Sequence, residues 1–170
     1  MERDRRPLFL WLLFTAADAL VSAYYWPRLP HLMAQHFDAA GRPNGFASKE
    51  SFFALMAGLI VGLGVLLFGL PKVLRRLPFA LVNIPHKDYW EATPERQKLA
   101  WDMVEQQMDW LAVAVNALLS FTLYVTLAAN LAPGSGLDDR GFLAGLLAFF
   151  AFMAGWMVVF VRRFRPPDVP

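Results

Sequence analysis

Four runs of apolar residues dominate the chain: Leu8 to Trp26, Phe52 to Leu70, Trp110 to Leu131 and Phe142 to Val161. As helices, each is long enough to cross a hydrocarbon core, which takes about 20 residues. Their interiors carry almost no charge, and short polar segments separate the first from the second and the third from the fourth. The pattern predicts an all-α integral membrane four-helix bundle, one domain over residues 1–170. The first run follows the basic start MERDRR, as a secretory signal would. It is longer than a signal core, contains Asp18 and ends in Tyr24-Tyr25-Trp26 without a small-residue cleavage pattern, so an uncleaved spanning helix is expected.

The segments between the runs differ in kind. Residues 27–51 form the most polar and turn-rich part of the first half; Pro27 and Pro30 stiffen its start, and Gly41-Arg42-Pro43-Asn44-Gly45 predicts a tight turn. Residues Pro71 to Trp90 hold Pro71, Pro78 and Pro85, which argue against regular helix because each removes a backbone donor and restricts its predecessor. Thr93-Pro94-Glu95 then reads as a helix start, with Thr93 as N-cap. Leu99, Met103, Val104, Met108 and Leu111 recur at helical spacing, which predicts an amphipathic helix lying near the interface and running into the third span.

Composition fixes the solvent. With 57% hydrophobic and 18% charged residues in a chain of 170, lipid is the expected surrounding. The formal charge of +2 gathers beside the apolar runs without forming a basic face, so nucleic acid is not an expected partner. The absence of cysteine excludes disulfides, thiolate metal sites and cysteine nucleophiles. Of the 16 Lys and Arg, most lie in the N-terminus, the segment after the second span and the C-terminus. The excess of positive charge marks cytoplasmic segments, so both termini are expected in the cytoplasm and the 27–51 loop outside. In a bacterium this is the cytoplasmic, or inner, membrane.

Candidate chemistry is sparse. Gly58 and Gly62, and Gly141 and Gly145, form Gly-x-x-x-Gly pairs that allow close helix packing, within the bundle or between copies in a homo-oligomer. Asp18 falls near the middle of the first span, where a carboxylate costs about 2.5–3.5 kcal/mol on insertion scales. It is expected to face the bundle interior, with Asn116, Ser120, Thr122 or Ser22 as hydrogen-bond partners, as a packing contact, a ligand or proton site, or the wall of a wet cavity. In the outer loop His31, His36 and Asp38 could hold a metal, but a five-residue His spacing does not share a helix face, and the competing reading has His36 tying the loop together by hydrogen bonds. No metal and no cofactor is expected. Asn83, Pro85, His86, Lys87, Asp88, Tyr89 and Trp90 make a polar and aromatic cluster at the inner side, suited to a cytoplasmic regulator or lipid headgroups, or to a loop that caps the bundle.

Leu29-Pro30, His36-Phe37, Gly41, Pro43-Asn44-Gly45 and Ser48-Lys49 together resemble the bacterial membrane family called domain of unknown function 1648, over roughly residues 8–53. The same domain opens the larger SdpI-like immunity membrane proteins. Asn83-Ile84-Pro85-His86-Lys87-Asp88-Tyr89-Trp90 is similar to a segment of some four-span members. Asp38 and His86 stand where Asn is usual. The resemblance implies a helical membrane protein with Pro30, His36, Phe37, Gly41, Asn44 and Lys49 in an outer signature loop, and a role in protection against a secreted toxin or in signalling to a cytoplasmic regulator. It supplies no catalytic mechanism.

Three function classes follow. The first is a non-enzymatic immunity or signal-sensing protein whose outer loop meets an extracellular peptide or envelope component. The second is a small proton-coupled transporter organised around Asp18. The third is a membrane-embedded hydrolase with His36 as base; no serine nucleophile elbow, His-Glu-x-x-His or phosphate-binding glycine loop supports it.

Overall fold

The computed structural model describes residues 4–131 and 136–167. Its elements are α1 (Arg6–Tyr25), β1 (Leu32–Phe37), β2 (Pro43–Ser48), α2 (Lys49–Leu74), α3 (Lys87–Glu91), α4 (Pro94–Leu131) and α5 (Asp139–Arg163), with short 3-10 turns at Trp26–Arg28 and Phe79–Leu81. Among the described residues, α1, α2, α4 and α5 are long and apolar enough to cross a membrane. The all-α four-helix bundle holds, with one β-hairpin added between α1 and α2.

Local chemistry sets the helix ends. Ser48 caps α2 by accepting the Ser51 backbone N–H at 3.2 Å, and Asp138 caps α5 by accepting that of Gly141 at 3.1 Å. Thr93 Oγ1 accepts the Arg96 N–H at 3.3 Å, as expected of an N-cap. One expectation needs correction. Helix α2 continues through Pro71 to Leu74, because a proline near a helix end forfeits one bond yet keeps a helical φ. The helix that begins at Pro94 runs into the third span as expected: α4 is continuous for 38 residues, about 57 Å at helical rise. That exceeds a hydrocarbon core of about 30 Å, so the first turns of α4 project beyond it.

Helix α4 is the centre of the bundle. It packs along α1 and α2 and only lightly against α5, which contributes no buried residue of its own. The closest approaches use glycine, one of them from an expected pair, Gly145, and one not, Gly64. A Cβ on Gly64 would collide with the Trp11 indole, and one on Gly145 with the Phe121 ring, whereas Gly58 and Gly62 face open space. The Gly58 pair therefore does not pack this bundle; Gly141 meets only its own cap, Asp138.

One end of the bundle carries the hairpin, Asn130 and Leu137, which contact one another. The opposite end carries residues 75–93 and the end of α5, joined where Trp90 meets Phe164.

Candidate functional site

The segment expected as an irregular loop is a β-hairpin. Its strands pair antiparallel, Met33 opposite Ala47 and Ala34 opposite Phe46, with the register shifted on either side of His36. The turn lies earlier than expected. Asp38 C=O accepts the Gly41 N–H at 2.9 Å, and Asp38 Oδ1 accepts the N–H groups of Ala40 at 2.9 Å and Arg42 at 2.8 Å. Asp38-Ala39-Ala40-Gly41 is thus the turn, and Pro43-Asn44-Gly45 begins β2. Asp38 uses its side-chain oxygen where an Asn could do the same. Gly41 has φ +72, the left-handed region that favours glycine. A Cβ there would also strike the Leu137 carbonyl, while Gly41 C=O accepts the Leu137 N–H at 2.9 Å.

Four contacts anchor the hairpin and the segments that flank it. Met33, fully buried, drops into a core cluster with Leu29, Phe52, Met56, Leu123 and Leu127. Asn130, in the last turn of α4, grips the edge of β1: its Oδ1 accepts the Ala34 N–H at 2.8 Å and its Nδ2 donates to the Ala34 carbonyl at 2.9 Å. The amide thereby acts as a short third strand and satisfies both backbone groups of a buried residue. Lys49 Nζ donates to the Trp26 carbonyl at 3.1 Å and lies 4.8 Å from that ring's centroid, pinning the start of α2 to the end of α1. The Gly41 contact with Leu137 is the fourth. Asn130 went unnoticed in the sequence; the one signal was an amide at the very end of an apolar run, where exposed backbone groups need partners.

What remains faces outward. His31, Leu32, His36, Asn44 and Phe46 are exposed. His36 makes no side-chain hydrogen bond to a described residue; its ring lies over Gly45, where a Cβ would come within 2.9 Å of it. The expectation that His36 ties the loop by hydrogen bonds is therefore corrected: steric fit across the strands replaces it. Nor do His31, His36 and Asp38 converge, since His31 Nε2 lies 3.9 Å from Glu50 and Asp38 caps the turn. No cluster of three or more His, Asp or Glu suited to a metal occurs among the described residues. Because Ala34 turns its N–H and C=O toward Asn130, its cross-strand partner Phe46 turns its own away from β1, leaving them at the free edge of β2. Pro30 is exposed just before β1, and Phe37 faces Pro43 across the hairpin.

Comparison with known families falls on this same region. Residues 13–61 match the Domain of unknown function (DUF1648). The DUF1648 match takes in most of α1, the whole hairpin and the first half of α2. No curated protein and no solved structure matches the chain.

Within the DUF1648 segment, Asp18 is 9% exposed and its Oδ2 accepts the Ser120 hydroxyl at 2.8 Å, so α1 and α4 meet through it. Asn116 does not bond Asp18. It lies one turn away and donates through Nδ2 to the Trp11 carbonyl at 3.1 Å and to Thr15 Oγ1 at 3.0 Å, leaving its own Oδ1 buried without a partner. Thr122 bonds the Leu118 carbonyl on its own helix, and Ser22 makes no bond to Asp18. Four polar side chains, Thr15, Asp18, Asn116 and Ser120, thus form one band across the α1–α4 seam.

Outside the DUF1648 segment, the cluster at the opposite end is mostly a packing device. Trp90 is buried and donates its indole N–H to the Phe164 carbonyl at 2.9 Å, inside a cluster with Phe79, Ile84, Ala100 and Trp101. His86 adopts φ 54 ahead of α3. Lys87 Nζ donates to the Ala80 carbonyl, and the Arg96 guanidinium sits 4.0 Å over the Tyr89 ring. Asn83, His86 and Asp88 stay exposed, and Pro85 is half-buried. Arg75 joins this end to α4 through Asp102 at 3.0 Å and Glu105 at 3.1 Å.

Proposed function

We propose that this protein is a multi-pass protein of the bacterial cytoplasmic membrane, of the immunity or signal-sensing kind, in which the hairpin recognises an extracellular peptide or envelope component. The observation that carries this reading is the division of labour within the hairpin. Met33, Ala34 and Gly41, with Lys49 at the start of α2, spend their contacts on the bundle, while His31, Leu32, His36, Asn44 and Phe46 have exposed side chains, of which His31 nears Glu50 at 3.9 Å and His36 packs on Gly45. An anchored scaffold presenting exposed polar and aromatic groups suits recognition. The excess of Lys and Arg at both termini and in the segment after the second span supports a cytoplasmic place for these and an outer place for the hairpin.

The test is survival of cells challenged with envelope-active peptides while expressing the wild type or His36→Ala, with membrane abundance measured in parallel. Protection by the wild type that His36→Ala loses at equal abundance supports recognition by the hairpin. Equal survival with and without the wild-type protein removes the immunity role for those peptides. A second reading, a small proton-coupled transporter, draws on the band around Asp18 with its unpartnered Asn116 Oδ1. Proton-linked uptake abolished by Asp18→Asn, with protection unaffected, would favour it.

A further inference from the structure

Between α4 and α5, toward the end where α5 stops at Arg163, lies a cavity of about 460 Å³. Phe152 and Val159 give it apolar walls, and Gln107, Trp156 and Arg163 its polar groups. Gln107 is only 3% exposed, and its amide bonds no described residue. The Trp156 indole N–H is also buried without an acceptor. A donor shut away from water without a partner is costly, so the Trp156 N–H beside this cavity indicates a missing acceptor. Arg163 donates to Gln106 Oε1 at 2.6 Å, and its guanidinium has further N–H groups to offer.

The chemistry of the lining narrows the occupant. Trp156 and Arg163 supply donors alone, which calls for a ligand rich in acceptors, and the cationic end next to Arg162 calls for negative charge. The apolar walls call for hydrocarbon. Trp156 and Arg163 are seven residues apart on one face of α5, about 10 Å along the helix. A ligand with an anionic head, hydrogen-bond-accepting esters below it and acyl chains below those meets each requirement in order. Because α5 packs only lightly against the rest of the chain and has no fully buried residue, the cavity is open to such a molecule from the bilayer.

We propose that this cavity binds one anionic phospholipid, its phosphate at Arg163, its glycerol ester region at Trp156 and Gln107, and an acyl chain along Phe152 and Val159. The lipid then adds to the sparse packing between α4 and α5, which the chain itself makes through contacts such as Gly145 against Phe121. This site is separate from the hairpin and does not depend on the recognition role proposed for it.

The test is native mass spectrometry of the delipidated full-length protein titrated with phosphatidylglycerol or phosphatidylcholine. The wild type is expected to bind one phosphatidylglycerol in preference to phosphatidylcholine. Loss of a charge-assisted contact in Arg163→Gln should weaken phosphatidylglycerol binding about tenfold, with Arg163→Lys keeping most of it. Trp156→Phe, which retains the ring and deletes only the N–H, should weaken it about threefold. Equal affinity for both lipids, or phosphatidylglycerol binding unchanged in Trp156→Phe and Arg163→Gln, overturns the proposal. So does a dimer that forms without lipid and excludes it, which would make a second copy the occupant. Arg163→Lys and Trp156→Phe keep the test decisive if Arg163→Gln fails to fold.

Discussion

The two ends of the bundle solve the same problem in opposite ways. Each must close over the helix ends with a non-helical segment, and each uses a side chain to satisfy backbone groups far along the chain. At the hairpin end the side chain belongs to the bundle: Asn130 reaches out from α4 and binds the backbone of Ala34. At the other end it belongs to the connecting segment: Trp90 reaches in and donates to the Phe164 carbonyl. The consequence is chemical. A strand gripped by its backbone keeps side chains such as Leu32, His36 and Phe46 exposed. The other segment has spent large apolar ones, Phe79, Ile84 and Trp90, and leaves only Asn83, His86 and Asp88 of its polar cluster exposed. The hairpin therefore presents groups, and the 75–93 segment packs.

Substitutions that remove each clamp should separate the two ends. The largest effect is expected for Trp90→Ala, which empties a buried aromatic site and orphans the Phe164 carbonyl, at about 3–5 kcal/mol. It should appear as a lower melting temperature of the purified protein. If Trp90→Ala melts like the wild type, that end is not a packed cap. Asn130→Leu leaves the Ala34 N–H and C=O without partners and should cost about 1–3 kcal/mol. That loss should be local: amide exchange should speed up in residues 32–37 while the lower half of α4 stays protected. Uniform acceleration throughout would mean the hairpin is part of the bundle's cooperative core, which breaks the contrast. Lys49→Met removes the contact with Trp26 and should cost about 0.5–1 kcal/mol. Smallest of all is His36→Ala, expected within about 0.5 kcal/mol because the exposed ring bonds nothing. A large loss of stability there would place His36 among the anchors.

The spans were legible because a run of apolar residues free of charge has few other solutions in a chain this greasy. Thr93 was legible as a cap for a similar reason, since its chemistry is satisfied within one turn. The hairpin was not. Leu32 faces out while Met33 and Ala34 are both buried, so the alternation that marks a strand is lost in the bulged register near His36. Gly-Arg-Pro-Asn-Gly looks more turn-like than Asp-Ala-Ala-Gly, yet the turn goes to the latter. What decides it is Asp38 capping Ala40 and Arg42, together with Gly41 fitting against Leu137. Leu137 and Asn130 lie about a hundred residues further along the sequence, and nothing local announces them. The polar partner of Asp18 was half legible: the residues facing α1 from α4 were identifiable as a set, but whether Ser120 or Asn116 meets the carboxylate depends on helix rotation by a single turn.

The contrast between a presenting end and a packing end has a biological meaning only if the two ends lie on opposite sides of the membrane, with the hairpin outside. Because the chain has no cysteine, single introduced thiols report this without background. Ala39, at the hairpin turn, and Lys98, on the projecting part of α4, are both exposed and suit the purpose. In intact cells treated with a membrane-impermeant maleimide, Ala39→Cys should be labelled at once and Lys98→Cys only after the membrane is opened. The reverse pattern would put the hairpin in the cytoplasm and contradict an extracellular recognition role outright.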